Sequence, residues 1–193
     1  TCAVDVRANT MECEPSAPSS TGEGPSMNLI VGSQHRYVRL ANSAPDQTAS
    51  LWYAGVTVQN LTLQPFATSD GTTPDPRGVR VFFVDEPTNG VEIWNHDGEA
   101  AFLGSDPTEK YYEYAGPTLG ADGILSPGGT SFSKRWDFVH NGATTFEFSV
   151  LIWTTVPDPA GYSASLTQLS AGTAHSCGVD AEGRAYCWGQ GWQ

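Results

Sequence analysis

Residues 131–156 read SFSKRWDFVHNGATTFEFSVLIWTTV, and this stretch predicts the fold of the chain. Apolar residues alternate with polar ones on both sides of Asn141-Gly142, a dipeptide that supplies the positive φ angles of a tight hairpin turn. The apolar face consists of Trp136, Phe138, Phe146, Phe148, Val150 and Ile152. The opposite face of the second strand carries Thr145, Glu147 and Ser149. We therefore predict an antiparallel hairpin that contributes one face to a hydrophobic core.

Strand-like runs of the same kind recur between residues 27 and 157, beginning with a short run at 29–31. Turn dipeptides separate them, namely Asp70-Gly71, Asn89-Gly90, Asp97-Gly98 and Asp122-Gly123. The chain has no long stretch with helical periodicity. Eight or nine short strands at this spacing predict an all-β fold, a two-sheet sandwich of jelly-roll or immunoglobulin-like type.

The run at residues 51–63 contains a shift in its apolar pattern. Alternate positions are apolar up to Val58, but the pattern resumes at Leu61 with the opposite parity. One extra residue in a strand produces such a shift, so the sequence predicts a β-bulge near Gln59 and Asn60.

Two segments of the chain have the composition of linkers. Residues 14–26 are rich in Pro, Ser and Gly and lack apolar anchors, and Pro157-Asp-Pro ends the last strand of the sandwich. The predicted order is a disulfide hairpin (1–13), a linker (14–26), a β-sandwich (27–157), and a short linker with a partial repeat (158–193). The sandwich is thus expected to be flanked by a stapled hairpin at each end.

The motif Cys-x-Val-Asp occurs near both ends of the chain, at residues 2–5 and 177–180. In each copy a turn and a second cysteine follow, as expected of a hairpin whose outer residues lie opposite each other. Four cysteines permit three pairings, and this local geometry favours Cys2–Cys13 and Cys177–Cys187. The competing interpretation is a metal site of His175, Cys177 and Cys187, which lacks the usual spacing of zinc ligands.

The C-terminal copy carries a family resemblance. Ala171-Gly172, His175-Ser176-Cys177 and the run EGRAYCWG at 182–189 resemble one repeat of the regulator-of-chromosome-condensation type, in the cysteine-bearing variety of secreted bacterial proteins. That family builds β-propellers, so the resemblance implies local β-structure and a secreted protein. Two partial repeats cannot close a propeller of about four to eight blades. The resemblance therefore does not imply the nucleotide-exchange activity of the family.

The central part carries a weaker resemblance. The run VTVQNL at residues 56–61, together with DPRGVRVFF at 75–83, resembles a sandwich module that accompanies such repeats in secreted bacterial proteins. This likeness implies the same sandwich fold that the strand pattern predicts.

Composition limits the partners of the chain. Acidic residues outnumber Lys and Arg by 21 to 9, which gives a formal net charge of −12. Such a field repels nucleic acid and anionic membrane surfaces, and no run of the sequence is long and apolar enough for membrane insertion. Disulfides imply an oxidising compartment, so we expect an extracellular or cell-surface protein, either mature after processing or part of a longer chain.

Two features suggest small ligands. Asp70 and Asp75, in the turn-rich stretch DGTTPDP, offer carboxylates to calcium, the one cofactor that the sequence leaves open. Aromatic rings exposed on a sandwich would stack on sugars, although a core also consumes such rings. The aromatic candidates are Trp52, Tyr53, Trp94, Tyr111, Tyr112, Tyr114, Trp153, Trp188 and Trp192.

No catalytic motif is present, and the four histidines stand apart in sequence. A secreted hydrolase therefore has no supporting motif. Incomplete terminal repeats with open strand edges favour a non-enzymatic structural protein, a subunit of a filament, appendage or surface layer that adds copies of itself head to tail. The expected contact residues are Val179, Tyr186, Trp188 and Trp192. The alternative is a carbohydrate-binding or adhesive module of a longer secreted protein, with cell-surface polysaccharide as its partner.

Overall fold

The structure is a computed structural model. It describes residues 1–14, 37–102, 108–157, 166–171, 175–180 and 185–189. The predicted linker from residue 15 to 26, the predicted strand at 29–31, the 182–183 turn and Trp192 lie outside the described residues. In the described ranges the one helix is a 3-10 turn at Gly116–Thr118, and none is long and apolar enough to cross a membrane.

The strands are β1 (Cys2–Asp5), β2 (Thr10–Cys13), β3 (Val38–Gln47), β4 (Leu51–Asn60), β5 (Val79–Asp85), β6 (Glu92–Ile93), β7 (Gly98–Ala101), β8 (Thr108–Tyr114), β9 (Lys134–Val139), β10 (Thr145–Thr154), β11 (Leu166–Ala171), β12 (His175–Asp180) and β13 (Ala185–Gly189). One sheet has the order β2-β1-β10-β5-β8-β7, and a second has the order β3-β4-β9-β6. These two antiparallel sheets form the predicted sandwich. Strands β11, β12 and β13 form a third sheet, which is described separately below.

The core between the two sheets is largely aromatic. Phe83 on β5 contacts the rings of Trp136 and Phe138 on β9 of the other sheet, with centroids 5.3 and 6.1 Å apart. Phe138 also stacks on Phe148 of β10 at 5.4 Å. All four rings are buried. Full burial of each large apolar side chain contributes about 1.5–3 kcal/mol, so this cluster holds the sheets together.

A polar chain runs through the same core. The indole N–H of Trp136 donates to the Tyr114 hydroxyl, which donates in turn to the carbonyl of Val56, at 3.1 and 3.0 Å. Burial raises the pKa of Tyr114, since a phenolate would lose its hydration there. The two bonds satisfy polar groups that would otherwise be costly to bury, and they bridge β8 to β4 and β9.

The two strands and the turn predicted within residues 131–156 are present, but the predicted antiparallel hairpin is wrong. Strand β9 pairs with β4 and β6 of one sheet, and β10 pairs with β1 and β5 of the other. The turn therefore carries the chain from one sheet to the other, and both strands still direct their apolar faces into the shared core. Asn141 and Gly142 have φ angles of 47° and 87°, the left-handed pair that the dipeptide predicts. The predicted apolar face is buried, with Val150 only partly so, while Thr145 and Glu147 are exposed. A register shift between Ser149 and Val150 leaves this face intact along β10.

The predicted bulge near Gln59 and Asn60 is wrong. Strand β4 alternates regularly to its last residue and ends at Asn60, whose side chain is fully buried. The Asn60 amide donates to the carbonyls of Gln64 and Leu125, and its oxygen accepts the N–H of Thr62. The parity shift therefore marks an Asx turn at the end of the strand, since Leu61 already lies outside it.

The N-terminal hairpin belongs to the sandwich. Strand β1 lies between β2 and β10, with Val4 opposite Met11 on one side and Phe146 on the other. Cys2 and Val4 are buried in the core, and the predicted Cys2–Cys13 disulfide is present. The domain boundary drawn between residues 1–13 and 27–157 thus does not separate two units. Strand β10 would otherwise carry an open edge there, which β1 covers.

The hairpin also closes the sandwich at one corner, where strands β2 and β3 of the two sheets meet. The side chain of Asn42 on β3 donates to the carbonyl of Met11 at 2.6 Å. Asn9, in the turn between β1 and β2, donates to the carbonyl of Pro45 at 2.6 Å. These side-chain bonds join the outer strands of the two sheets at this corner.

Candidate functional site

The C-terminal sheet contains the predicted assembly residues. Strand β12 pairs with β11 on one side and β13 on the other, both antiparallel. Cys177 lies directly opposite Cys187, as the predicted second disulfide requires, and His175 lies opposite Gly189. Among the predicted contact residues, Tyr186 lies opposite Gly178 and Val179 opposite Ala185. Within the described ranges, β11 and β13 each pair with one strand, so this sheet has two outer edges.

Asp70, a predicted calcium ligand, holds a turn together. Its Oδ1 accepts the N–H groups of Thr73 and Thr72 at 2.6 and 2.8 Å and the hydroxyl of Thr68 at 3.1 Å. The two backbone bonds keep the pKa of Asp70 well below its ordinary value. This carboxylate therefore acts as a turn former.

Asp75, the second predicted ligand, is paired with a cation. Its two oxygens accept Nε and a terminal nitrogen of Arg77 at 3.1 and 2.9 Å. Over the described part of the chain, no group of three or more His, Cys, Asp and Glu side chains is arranged to hold a metal ion. Both predicted ligands thus have protein partners, and calcium binding at these residues stays a prediction.

The aromatic candidates divide by burial. Trp52, Tyr112 and Tyr114 are fully buried and belong to the core. Tyr111 and Trp153 carry the guanidinium groups of Arg80 and Arg77, with 4.6 and 4.5 Å between each guanidinium carbon and the ring centroid. Trp94 is different, because 67% of its surface is exposed. Trp188 and Trp192 belong to the C-terminal segment discussed above.

Trp94 lies at the end of a row of residues on the outer face of the four-stranded sheet. The register places Asp46 of β3 opposite Tyr53 of β4, and Tyr53 opposite Asp137 of β9. The N–H of Trp94, just after β6, donates to the carbonyl of Asp137 at 2.9 Å. Ile93, its neighbour, is buried, so Trp94 points to the outer face. We call Asp46, Tyr53, Asp137 and Trp94, with Arg135, the outer row.

Ionic and hydrogen-bonding contacts connect the outer row. The Tyr53 hydroxyl donates to Asp46 at 2.8 Å, and the guanidinium carbon of Arg135 lies 3.8 Å from the centroid of the Tyr53 ring. Arg135 also donates to the Asp137 carboxylate. The hydroxyl of Tyr53 lowers the pKa of Asp46, and the bond to Asp137 raises the pKa of Arg135. Three charged groups and a phenol are thus held in one arrangement.

The backbone beside Trp94 is anchored to the core. Asn95 accepts the N–H of Asp137 at 2.8 Å and the hydroxyl of the buried Tyr112, and its amide donates to the carbonyl of Arg135 at 3.0 Å. An exposed indole therefore projects from a backbone that several bonds hold in place. The sequence identified Trp94 and Tyr53 among many aromatics but did not identify Asp46, Arg135 or Asp137. The sequence shows which residues of a strand share a face, because these residues alternate along it. It does not show which residues of two distant strands lie opposite each other.

The comparisons with known proteins concern the C-terminal sheet. The family model described as regulator of chromosome condensation (RCC1) repeat matches residues 166–191, which include β11, β12 and β13. No curated protein and no solved structure matches the chain significantly. The chain therefore carries one repeat of this type at its C-terminal end, beside a two-sheet β-sandwich.

Proposed function

We propose that the chain is a non-enzymatic extracellular structural protein, a subunit of a filament, appendage or surface layer. Subunits join through the C-terminal repeat by β-strand complementation. The observation that carries this proposal is that the described residues of the C-terminal segment form a sheet of three strands, β11, β12 and β13, whereas a propeller blade has four. A strand from a neighbouring copy would complete the sheet. The Cys2–Cys13 disulfide is consistent with an oxidising, extracellular environment.

The acceptor strand follows from the edges of the sandwich. Its outer strands in the described residues are β2 and β7 in one sheet and β3 and β6 in the other. Strands β2 and β3 are bonded to each other, and β6 has only two residues. Strand β7, Gly98–Ala101, is therefore the edge that best accepts a strand. We propose that the C-terminal sheet of one copy pairs with β7 of the next.

Such a contact joins unlike surfaces, so it propagates head to tail unless its rotation closes a ring. Tyr186, Trp188 and Trp192 supply the aromatic anchors typical of interface hot spots, and Val179 adds apolar area. Secretion by a bacterium is part of the same proposal, and the RCC1-type repeat with its two cysteines supports it.

Deletion of residues 158–193 tests the proposal. We expect the full chain to form long assemblies in sedimentation velocity and negative-stain images, and the truncated chain to remain monomeric and folded. Because the truncated chain keeps β7 and lacks the C-terminal sheet, an excess of it should cap growing assemblies and shorten them. If the truncated chain forms the same polymers, the C-terminal repeat is not the connector and the proposal is wrong.

A further inference from the structure

We propose that the outer row is a binding platform for a neutral polysaccharide. A sugar ring stacks on Trp94, and the hydroxyls of the same chain bond to Arg135 and Asp46. The inference is independent of self-assembly, because it uses the outer face of the four-stranded sheet and none of the residues proposed to join subunits.

The first argument concerns Trp94. An indole with 67% of its surface in water forgoes much of the stabilisation that burial provides. The chain places it on the outer face of the sheet, directly after the buried Ile93 and hydrogen-bonded through its backbone N–H to Asp137. The bonds of Asn95 keep the backbone at this position ordered. A ligand that stacks on the ring therefore meets a surface whose backbone order is already established, which lowers the entropic cost of binding.

The second argument concerns the polar groups beside the ring. The row crosses four neighbouring strands, and three strand spacings amount to about 14 Å. Arg135 has 54% of its side chain exposed, and Asp46 is exposed at the far end of the row. Bonds to Tyr53 and Asp137 fix both groups, so they present charged donors and acceptors to a ligand at little further cost in order.

The third argument selects the ligand class. A sugar presents C–H groups on the face of its ring, which suit an indole, and hydroxyls around the ring, which both donate to carboxylates and accept from guanidinium. The row carries two carboxylates and one guanidinium, with Glu92 nearby on β6, and the whole chain has a formal charge of −12. This charge balance opposes nucleic acids and anionic polysaccharides, so an uncharged chain is favoured.

A protein partner fits the row less well. Protein interfaces concentrate their energy in clustered aromatic and apolar anchors that become fully desolvated. The outer row has one exposed indole in a mostly ionic setting, and Phe132, the other strongly exposed ring of the described residues, lies before β9 and outside the row. One stacking surface beside several hydrogen-bonding groups matches an extended polymer of sugars.

Isothermal titration calorimetry on the full chain tests the inference with laminarin, xyloglucan, galactomannan and dextran as neutral probes and alginate as the anionic probe. We expect at least one neutral probe to bind and alginate not to bind. Trp94→Ala should weaken that binding by about tenfold or more, because it removes the stacking surface. Trp94→Tyr should restore part of the affinity, since a phenol also stacks.

Phe132→Ala is the matched control, because Phe132 is as exposed as Trp94 at 69% and lies outside the row. Phe132→Ala should bind the neutral probe as tightly as the unmodified chain does. Both alanine variants should melt at the same temperature as the unmodified chain. The inference is overturned if no neutral probe binds, if alginate binds better, or if the two alanine variants bind equally. A sedimentation change in Trp94→Ala without any probe would identify a contact between copies and would also overturn it. Whether deletion of residues 158–193 abolishes assembly does not affect the binding measured by calorimetry. The self-assembly proposal and the polysaccharide proposal can therefore fail independently of each other.

Discussion

The two ends of the chain share the motif Cys-x-Val-Asp and have different structural roles. Strand β1 is inserted between β2 and β10, and its apolar residues complete the core of the sandwich. Strand β12 pairs with β11 and β13 in a separate three-stranded sheet. A short local motif thus specifies a hairpin in both cases. What the hairpin joins depends on which unpaired edge and which apolar surface lie within its reach.

The largest expected effect contrasts the equivalent valines of the two motifs. Val4→Asp places an unpaired charge in the core, where Val4 is only 2% exposed, and should destabilise the sandwich by about 3–5 kcal/mol. Thermal melting should then fall by about 10 °C or more. Val179→Asp is the matched control and should leave the melting of the sandwich unchanged. Equal losses in the two variants would mean that the ends do not differ as described.

The next effect contrasts the two cysteine pairs. Replacing Cys2 and Cys13 with serine removes a link across 11 residues of sequence separation and should cost the sandwich about 2–3 kcal/mol. The same change at Cys177 and Cys187 should loosen the C-terminal sheet and leave the melting of the sandwich as it was. A peptide map that links Cys2 to Cys177 or Cys187 would contradict the local pairing altogether.

A smaller effect tests how the N-terminal hairpin is closed against β3. Asn42→Ala removes the donor to the carbonyl of Met11, and we expect a loss of about 1 kcal/mol in the free energy of unfolding, measured by urea denaturation. Gln59→Ala is the control, because its bond to Gly128 is longer, at 3.4 Å, and exposed. Its effect should stay within about 0.5 kcal/mol. If both variants are neutral, the corner does not depend on this bond.

The smallest effect concerns pH. The Tyr53 hydroxyl lowers the pKa of Asp46 on β3 from its ordinary 3.8. A lowered carboxyl pKa adds stability that is present above 3.8 and is lost as the pH falls through the folded value. In Tyr53→Phe the pKa of Asp46 should rise toward 3.8, as followed by NMR titration of the carboxyl carbon. Deletion of residues 158–193 should not change the pKa of Asp46. If the pKa of Asp46 does change in the truncated chain, the C-terminal sheet contacts β3.

The sequence predicted the sandwich because its evidence is local. Alternation along residues 131–156 and the Asn141-Gly142 turn specify two strands, their buried faces and a tight turn without knowledge of the partner strands. They do not specify whether the two strands pair with each other, and the predicted hairpin was wrong because β9 and β10 lie in different sheets. The same local view misread Asn60, where a turn that buries an amide resembles a bulge in its apolar pattern. Both patterns shift parity by one residue, and only the bonds of the side chain distinguish them.

The candidate platform shows the opposite situation. Trp94 is an ordinary aromatic residue in the sequence, and Asp46 lies far from Arg135 along the chain. They belong to one row because β6, β9, β4 and β3 lie side by side in the sheet. Register over distant strands is set by the fit of whole faces in the core, which no local pattern encodes.

By itself the sequence determined an all-β chain, the tight turn at Asn141-Gly142, the buried faces, the pairing of Cys2 with Cys13 and the repeat at the C-terminal end. Each of these depends on backbone preferences and spacings within a few tens of residues. Only the tertiary structure decided that β9 and β10 lie in different sheets, that the first hairpin completes the sandwich, and that Trp94 stands beside an ordered row of charges. Those outcomes depend on which edges and faces meet across long loops, and burial of the shared core selects among them.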